Sequence, residues 1–249
     1  MYNPFSLVNK TVLVTGASSG IGKAVAIECS KMGAHVIVTG RNAQRLDETF
    51  SLLQGDRHRK ITCDFSNREE VRELSGKLPL LNGLVHSAGT VRAKPFPEVT
   101  QEDMHYVFDI NFFAPALLSQ TLLADHKLQE NGSIVFLSSI DGPVVIHPYN
   151  SIYASTKGAI NALARNMAVD LAGYKIRVNC VSPGMTETPM VDGYGKVSRS
   201  EMEKQMLQYP LKRFAEAEEI AHAVIYYLSD ASSFTTGTNL IVDGGFSLL

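Results

Sequence analysis

Short apolar runs alternate with longer amphipathic stretches along the chain of 249 residues. The runs are rich in β-branched residues and mostly apolar at consecutive positions, which is typical of strands covered on both faces of a sheet. This pattern predicts strands at residues 11–16, 35–40, 60–64, 83–89, 133–139, 176–184 and 239–245. Between them, helical periodicity predicts helices near residues 20–32, 42–53, 67–76, 100–127, 150–172 and 215–229.

The alternation predicts an α/β fold with a single domain over residues 1–249, since the sequence contains no Ser/Gly-rich linker, repeat or low-complexity tract. The expected architecture is a Rossmann-type doubly wound parallel sheet of about seven strands flanked by helices. The longest break in the alternation lies at residues 185–212. Loops of that length in a compact domain are usually functional, so we predict a substrate lid near residues 185–212.

Composition and charge limit the classes of partner that the protein is expected to bind. A hydrophobic fraction of 45%, a charged fraction of 19% and a net charge of −2 are typical of an ordinary globular protein. They give no sign of a nucleic-acid or membrane surface. The first ten residues lack the basic lead and apolar core of a signal peptide, and we expect no apolar run near membrane-spanning length. The sequence therefore predicts a cytoplasmic protein with no nucleic-acid or membrane partner.

The cysteines and histidines give no support for a metal site. Cys29, Cys63 and Cys180 are widely spaced in apolar segments, which is typical of reduced thiols in a core. The sequence has no CxxC or HExxH motif, and none of its seven histidines forms a pair at ligand spacing. We therefore predict no bound metal.

A glycine-rich loop follows the first predicted strand. Gly16, Gly20 and Gly22 stand in a Gly-x-x-x-Gly-x-Gly spacing just before an amphipathic helix. Glycines let a backbone turn tightly and approach a pyrophosphate, whose charge is then held by the N-terminus of the following helix. We predict that a dinucleotide contacts this loop through Gly16, Ser18, Ser19, Gly20 and Ile21.

The end of the second strand bears on the choice of dinucleotide. NAD sites usually place an acidic residue here for the ribose hydroxyls, whereas a 2′-phosphate favours a cation. This chain has Gly40 followed by Arg41. Arg41 is either a phosphate ligand or a solvated residue at a helix start, and the first alternative is favoured because Arg can bind phosphate through two parallel hydrogen bonds. The predicted cofactor is NADP, with NAD possible.

The ends of the third and fourth strands supply further cofactor contacts. Asp64 is either the N-cap of the next helix or an acceptor for an adenine amine, and Phe65 follows it. The fourth strand ends in "HSAG", where the small residues Ala88 and Gly89 allow close approach of a cofactor.

Candidate chemistry follows the fifth strand. Ser138 and Ser139 end that strand, and Tyr153 lies four residues before Lys157 on a predicted helix. Residues four apart share a helix face, and a neighbouring cation favours the phenolate form of a tyrosine. A hydroxyl, a phenol and an ammonium beside a nucleotide site suit carbonyl/alcohol redox chemistry. Alone, the Tyr–Lys pair could equally be a surface pair.

These motifs, in this order, resemble the short-chain dehydrogenase/reductase family over nearly the whole chain. The matching features are Thr15 to Gly22, Asp64, "SAG" at 87–89, Asn111, Ser139, the YxxxK pair, Pro183-Gly184 with Thr188, and "VDGG" at 242–245. Carbonyl and xylulose reductases and 3-oxoacyl-carrier-protein reductases are the more specific likenesses.

The resemblance implies the roles of particular residues. It implies a catalytic set made of Asn111, Ser139, Tyr153 and Lys157, with Lys157 also bonded to the nicotinamide ribose. It further implies cofactor contacts from Pro183, Gly184, Thr186 and Thr188, a small carbonyl or alcohol substrate, and assembly into a homotetramer or homodimer.

The sequence departs from the family pattern at two places. His86 and Ser87 replace the usual Asn-Asn before Ala-Gly, and we favour a hydrogen-bonded core role for His86 over an altered cofactor contact. Ser139 precedes Tyr153 by fourteen residues, one more than usual, so the extra residue falls in the segment that borders the substrate. In that segment, Asp141 and His147 suggest a polar substrate, although either residue could face solvent.

Pro115 bears on the helix that contains Asn111. Because proline lacks the N–H that would bond the carbonyl of residue 111, we predict a bend near that residue.

The function predicted from the sequence is an NADP(H)-dependent oxidoreductase that interconverts a carbonyl and a secondary alcohol, with Tyr153 as general acid/base. One alternative is an NAD-dependent dehydrogenase of the same family. The other is a catalytically silent dinucleotide-binding sensor or scaffold.

Overall fold

The computed structural model describes residues 2–189 and 199–249. One seven-stranded sheet in the order β3-β2-β1-β4-β5-β6-β7 forms the centre of the molecule. Every neighbouring pair of strands is parallel. The strands are β1 Thr11–Thr15, β2 His35–Gly40, β3 Arg59–Thr62, β4 Leu81–His86, β5 Leu128–Leu137, β6 Arg177–Pro183 and β7 Asn239–Val242.

The helices cover both faces of this sheet. They are α1 Gly20–Lys31, α2 Ala43–Phe50, α3 Arg68–Gly76, α4 Gln101–Phe108, α5 Ala114–Ala124, α6 Ser151–Asp170, α7 Arg199–Met206 and α8 Ala217–Leu228. One apolar core lies between the sheet and α1, α2 and α8, and the other lies between the sheet and α3, α5 and α6. The prediction of a single-domain, doubly wound α/β fold is confirmed.

The strand order reverses next to β1, because β1 pairs with β2 on one side and with β4 on the other. In such sheets the connections leave the two strands in opposite directions, and a crevice opens beyond their carboxyl ends. The loops after β1 and β4 therefore border the expected ligand site.

The helix predicted at 100–127 is interrupted at the position that Pro115 indicated. Helices α4 and α5 are joined by a single π-helical segment, Asp109–Phe113, whose wider turn is closed by the bond from Ala114 N–H to the Asp109 carbonyl. Pro115 lies in the first turn of α5, and its ring and missing N–H are incompatible with the regular ladder one turn earlier. Asn111 lies within this π segment.

By length and composition alone, the helical stretch Gln101–Ala124 could cross a membrane. On this measure the expectation that no apolar run approaches membrane-spanning length is wrong. In the fold, 44% of its apolar window is buried, and it packs against α3 and α6. Core helices of globular proteins meet the same criterion.

The segment predicted as a lid contains a helix that the sequence pattern did not show, α7, and its residues 190–198 lie outside the described part of the chain. Both ends of the segment are fixed to the body. Thr186 pairs with Ala215 in a short parallel bridge. The Met185 N–H donates to the hydroxyl of buried Tyr209 at 3.0 Å.

Candidate active site

A cavity of about 410 Å³ opens at the carboxyl ends of β1, β2 and β4. It brings together most of the cofactor residues predicted from the sequence. Those that line it are Gly16, Ser18, Ser19, Gly20, Ile21, Arg41, Asp64, Phe65, Ala88, Gly89, Tyr153, Lys157 and Thr188. Asn111, Ser139, Pro183, Gly184 and Thr186 are not among its lining residues.

In the glycine loop, neighbouring backbone atoms pack too closely to leave room for a side chain. Gly16 has φ +65°, and a Cβ there would lie 2.6 Å from the Ala88 Cα. A Cβ on Gly22 would lie 2.4 Å from the Gly16 carbonyl oxygen. The Thr15 hydroxyl accepts the N–H groups of Ser87 and Ala88, each at 3.1 Å, and so fixes the loop against the end of β4.

The N-terminus of α1 faces the same cavity with uncapped donors. Its N-cap residue, Ser19, has extended backbone and its side chain makes no capping hydrogen bond. The first-turn N–H groups of a helix otherwise need such a partner, and they attract anions. The cradle therefore fits a pyrophosphate, as its glycine spacing predicts.

Two arginines lie at the end of β2. Arg41 is exposed and lines the cavity together with Asn42 and Arg45. Asn42 caps α2 by accepting the Arg45 N–H at 2.9 Å, which places Arg45 in the first helical turn. Gly40 brings no carboxylate to this end of the cavity. Arg45 is not among the residues predicted from the sequence, although its place one turn after Arg41 was a usable signal.

Asp64 lines the cavity, but it is not the cap of α3. Its carboxylate accepts the N–H and the hydroxyl of Ser66, at 2.9 and 2.8 Å. Asn67 is the N-cap instead, because its side chain accepts the N–H groups of Glu69 and Glu70. The helix-cap alternative for Asp64 is therefore wrong, since the helix begins after residue 67.

His86 is a core residue, as the sequence analysis favoured. Its ring is 5% exposed, stacks on Phe136 with centroids 4.7 Å apart, and bonds the Ser119 hydroxyl through Nε2 at 2.8 Å. Burial lowers the pKa of His86 to about 3. The neutral ring therefore fills the place of an amide side chain without reaching the cavity.

Tyr153 and Lys157 lie side by side on α6, one turn apart. The Lys157 Nζ is 5.4 Å from the centre of the Tyr153 ring and donates to the Leu137 carbonyl at 2.7 Å. Lys157 is 6% exposed, and burial lowers its pKa to about 8. A Cβ on Gly89 would lie 3.9 Å from this Nζ, so the absence of a side chain there leaves room beside the ammonium.

Asn111 binds the loop after β4. Its Oδ1 accepts the Thr90 N–H at 2.8 Å, and its Nδ2 donates to the Thr90 carbonyl at 2.9 Å and to the Thr156 hydroxyl at 3.1 Å. The side chain thus joins the π segment, this loop and α6. These bonds use its amide for positioning.

The two serines after β5 have different surroundings. Ser138 is buried, and its hydroxyl accepts from the Asn161 Nδ2 at 2.6 Å and donates to the Lys157 carbonyl at 3.2 Å. Ser139 is half-buried and its hydroxyl accepts the Asp141 N–H at 3.0 Å. Ser138 lines the cavity, but its proton is used on the Lys157 carbonyl. Ser139 is outside the lining, but its accepting hydroxyl still has its own proton to donate.

The segment after β6 surrounds the far end of the site. A Cβ on Gly184 would lie 3.0 Å from the Asp243 Cα, and the Thr186 hydroxyl bonds the Gly184 carbonyl at 3.1 Å. Thr188 reaches the glycine loop, where its Cβ would lie 3.2 Å from a Cβ on Gly20. Thr188 and its neighbour Pro189 line the cavity, whereas the predicted contacts Pro183, Gly184 and Thr186 do not.

Several residues that line the cavity were not predicted from the sequence, because they are not part of a recognised motif. Thr90, Tyr106 and Ile110 line the cavity from the loop after β4, from α4 and from the π segment. Their side chains are of types common in any core, and only the chain's path brings them beside the glycine loop.

Comparisons with known proteins agree with this geometry. A family model described as enoyl-(acyl carrier protein) reductase matches residues 16–247. An L-xylulose reductase of Caenorhabditis elegans is 36% identical over 254 residues, which cover 98% of each chain.

Two solved structures show the same fold. One, described as a short-chain glucose/ribitol dehydrogenase from Brucella melitensis, has a TM-score of 0.90 and 34% identity and covers 98% of this chain and 99% of its own. The other, described as an NAD(P)-dependent gluconate 5-dehydrogenase from Beutenbergia cavernae, holds NADP at low occupancy. It has a TM-score of 0.90 at 28% identity, covering 99% of this chain and 100% of its own. The chain therefore belongs to the short-chain dehydrogenase/reductase family and is an oxidoreductase.

Proposed function

We propose that this protein is an NADP(H)-dependent enzyme that interconverts a carbonyl and a secondary alcohol, with Tyr153 as the general acid/base. The observation that carries the proposal is the buried Lys157 ammonium, 5.4 Å from the centre of the Tyr153 ring at the edge of a glycine-lined cavity. A surface pair would have a solvated lysine, whereas this lysine is 6% exposed.

The chain's own groups divide the work. Ser139 donates a hydrogen bond to the substrate oxygen, and Tyr153 exchanges a proton with that oxygen. Lys157 favours the phenolate by its charge and binds the ribose hydroxyls with donors that Leu137 does not use. Gly16, Gly20 and the start of α1 hold the pyrophosphate. When bound, the nicotinamide supplies or accepts the hydride.

NADP rather than NAD is supported by the charge at the end of β2. Arg41 and Arg45 both line the cavity there, and Gly40 contributes no carboxylate that would repel a 2′-phosphate. The Beutenbergia cavernae relative holds NADP. NAD becomes the cofactor if both arginines are only solvated.

The substrate is proposed to be a small molecule, in keeping with relatives named as an L-xylulose reductase and a glucose/ribitol dehydrogenase. A homo-oligomer is also proposed, because Leu248 and Leu249 are 85% and 90% exposed at an apolar chain end. The cytoplasm is the proposed location, since Cys29, Cys63 and Cys180 are all buried free thiols.

The test is the decay of NADPH absorbance with a panel of small ketones, compared with NADH under the same conditions. We expect turnover that is faster at low NADPH than at equal NADH. A protein that binds NADPH yet oxidises it with none of the ketones is a silent sensor, and the catalytic proposal is then wrong.

A further inference from the structure

The chain between Ser139 and Tyr153 folds into a compact turn around a buried carboxylate. Asp141 is 4% exposed, and its N–H donates to the Ser139 hydroxyl at 3.0 Å. Its carboxylate accepts the His147 N–H at 3.2 Å and the Asn150 Nδ2 at 2.9 Å. One residue thus joins the active-site serine to the far side of the turn.

The imidazole of His147 is held by this carboxylate and by the C-terminal segment. Its Nδ1 lies 3.5 Å from the Asp141 Oδ1. Its ring stacks on Phe246, with centroids 5.8 Å apart and planes 21° apart. Phe246 in turn packs on buried Tyr209, with centroids 4.8 Å apart. The Asp141 carboxylate raises the pKa of His147.

The other ring nitrogen is uncommitted. Within residues 2–189 and 199–249, no protein group bonds the His147 Nε2, and the side chain is 39% exposed. A ring fixed on one edge and one face, with a polar atom left open, is an oriented hydrogen-bonding group. Asp141 connects this group to the serine, because its N–H binds the Ser139 hydroxyl and its carboxylate holds the His147 ring.

We infer that His147 is a specificity-determining residue, which binds a hydroxyl group on the carbon next to the reacting carbonyl and so selects hydroxyketones. This inference rests on the proposed function. The substrate oxygen is bound by Ser139, and the neighbouring hydroxyl extends towards the His147 Nε2.

The charges favour a hydroxyl over a carboxylate at this place. A hydroxyl can donate to a neutral Nε2 or accept from a protonated one. With the Asp141 carboxylate beside Nδ1, the neutral ring carries its proton there and Nε2 is an acceptor. A carboxylate would then bind only the protonated ring, and it would also approach the charge of Asp141. Asp243 adds a second acidic group beside Phe246, where it accepts the N–H groups of Gly245 and Ser247. An anion is therefore disfavoured.

The test uses three four-carbon ketones that differ only at one end: 2-butanone, 1-hydroxy-2-butanone and 2-oxobutanoate. For each, kcat/KM with saturating NADPH is measured in the wild type and in His147→Phe, which keeps a ring to stack on Phe246. We expect the ratio of 1-hydroxy-2-butanone to 2-butanone to fall about tenfold in the variant, the loss typical of one hydrogen bond.

Two controls separate this role from a general effect on folding. His147→Gln keeps a polar group and should restore part of the ratio. His222→Phe makes the same change on the outer face of α8, where the side chain is 64% exposed, and should leave the ratio as in the wild type. NADPH binding, followed by its fluorescence, reports whether each variant has folded.

The outcomes are distinguishable. An unchanged ratio in active His147→Phe overturns the inference and leaves the proposed function intact. A fall that is larger for 2-oxobutanoate than for 1-hydroxy-2-butanone shows an anion site and also overturns it. A wild type that reduces none of the three ketones, nor any other ketone of the wider panel, overturns the proposed function and this inference together.

Discussion

The Lys157 ammonium lies 5.4 Å from the centre of the Tyr153 ring, and both side chains line one cavity. Their place in the fold explains the pairing. Leu137 is the last residue of β5, and its carbonyl accepts a hydrogen bond from the Lys157 ammonium at 2.7 Å. The lysine is thereby fixed at a buried position that it would otherwise leave for solvent.

Removing the phenol should abolish turnover and preserve cofactor binding. Tyr153→Phe keeps the ring but removes the hydroxyl to which we assign proton exchange with the substrate, and general acid–base catalysis contributes roughly 10²–10⁴-fold. The measurement is kcat with NADPH and an active ketone, together with NADPH affinity. Tyr149→Phe is the control, because Tyr149 is 61% exposed. A Tyr153→Phe enzyme that retains most of its kcat contradicts the assignment.

Arg41 should determine the preference between the cofactors. A charge-assisted contact to the 2′-phosphate contributes about 1.5–3 kcal/mol, or roughly ten- to a hundredfold in KM. Arg41→Ala should therefore raise the KM for NADPH by that factor and change the KM for NADH little. Arg45→Ala measures the share of the second arginine, and exposed Arg57→Ala is the control. Equal wild-type KM values for both cofactors would be evidence against this role.

Gly40→Asp should move the preference further towards NADH, because the new carboxylate would repel a 2′-phosphate. A Cβ at residue 40 would lie 3.2 Å from the Ser18 hydroxyl oxygen, so a small shift of Ser18 accompanies any side chain. Gly40→Ala therefore separates the steric effect from the charge.

The buried lysine should lower the stability of the folded protein near neutral pH. Its folded pKa is about 8 against an ordinary value of 10.5, so the folded state loses the proton first as pH rises. Wild-type stability should therefore increase relative to Lys157→Met, by about 2 kcal/mol between about pH 7.5 and 9.5. Denaturant unfolding of the cofactor-free proteins at both pH values measures this, and a constant difference would show a solvated ammonium.

His86 should make the fold sensitive to acid. Its folded pKa of about 3 lies below its ordinary 6.5, so the unfolded chain takes up the proton first as pH falls. The stability linked to the neutral ring is complete above about pH 6.5 and decreases below it, by about 2 kcal/mol at about pH 5. His86→Asn should lose this part of the pH dependence. Parallel acid profiles of wild type and variant would contradict the buried assignment.

Gly142 should tolerate no side chain. It has φ +103°, and a Cβ would lie 2.2 Å from the Ala154 carbonyl oxygen in the first turn of α6. Gly142→Ala should lower both the midpoint of thermal unfolding and kcat, because α6 must move next to Tyr153. Gly158→Ala, in the same helix with no atom within 4 Å of the new Cβ, should instead stabilise by up to about 1 kcal/mol. Similar effects of the two changes would exclude the contact.

Most of the fold could be predicted from the sequence, because strands buried on both faces must be continuously apolar and are therefore recognisable as apolar runs. The departures have local causes. Strand β3 is an edge strand with exposed residues, and its predicted range of 60–64 is displaced from Arg59–Thr62. Helix α7 is strongly polar and belongs to a segment read as loop. The cap of α3 was misplaced because Asp64, Ser66 and Asn67 are all capable N-caps, and only the chain path selects Asn67.

The candidate site could be predicted from the sequence where single residues of a recognisable type and spacing form it. Tyr153, Lys157 and the glycines are recognisable by type and spacing. Tyr106 and Ile110 enter the cavity from α4 and from the π segment, where their side chains give no local signal. The burial of Lys157 likewise depends on the end of β5 meeting α6, where the Leu137 carbonyl binds the ammonium, and no local pattern contains this contact.

Helix α6 alone carries Tyr153, Thr156, Lys157 and Asn161, and through them it meets Asn111 and Ser138. The relative positions of these groups are set by one helical register. Residues added to or removed from the preceding turn, 140–150, can therefore reshape the substrate side while the proton-transfer groups keep their mutual geometry. The extra residue between Ser139 and Tyr153 is an insertion of this kind. To engineer a new substrate range, residues of this turn are therefore the ones to vary, while the sequence of α6 is left unchanged.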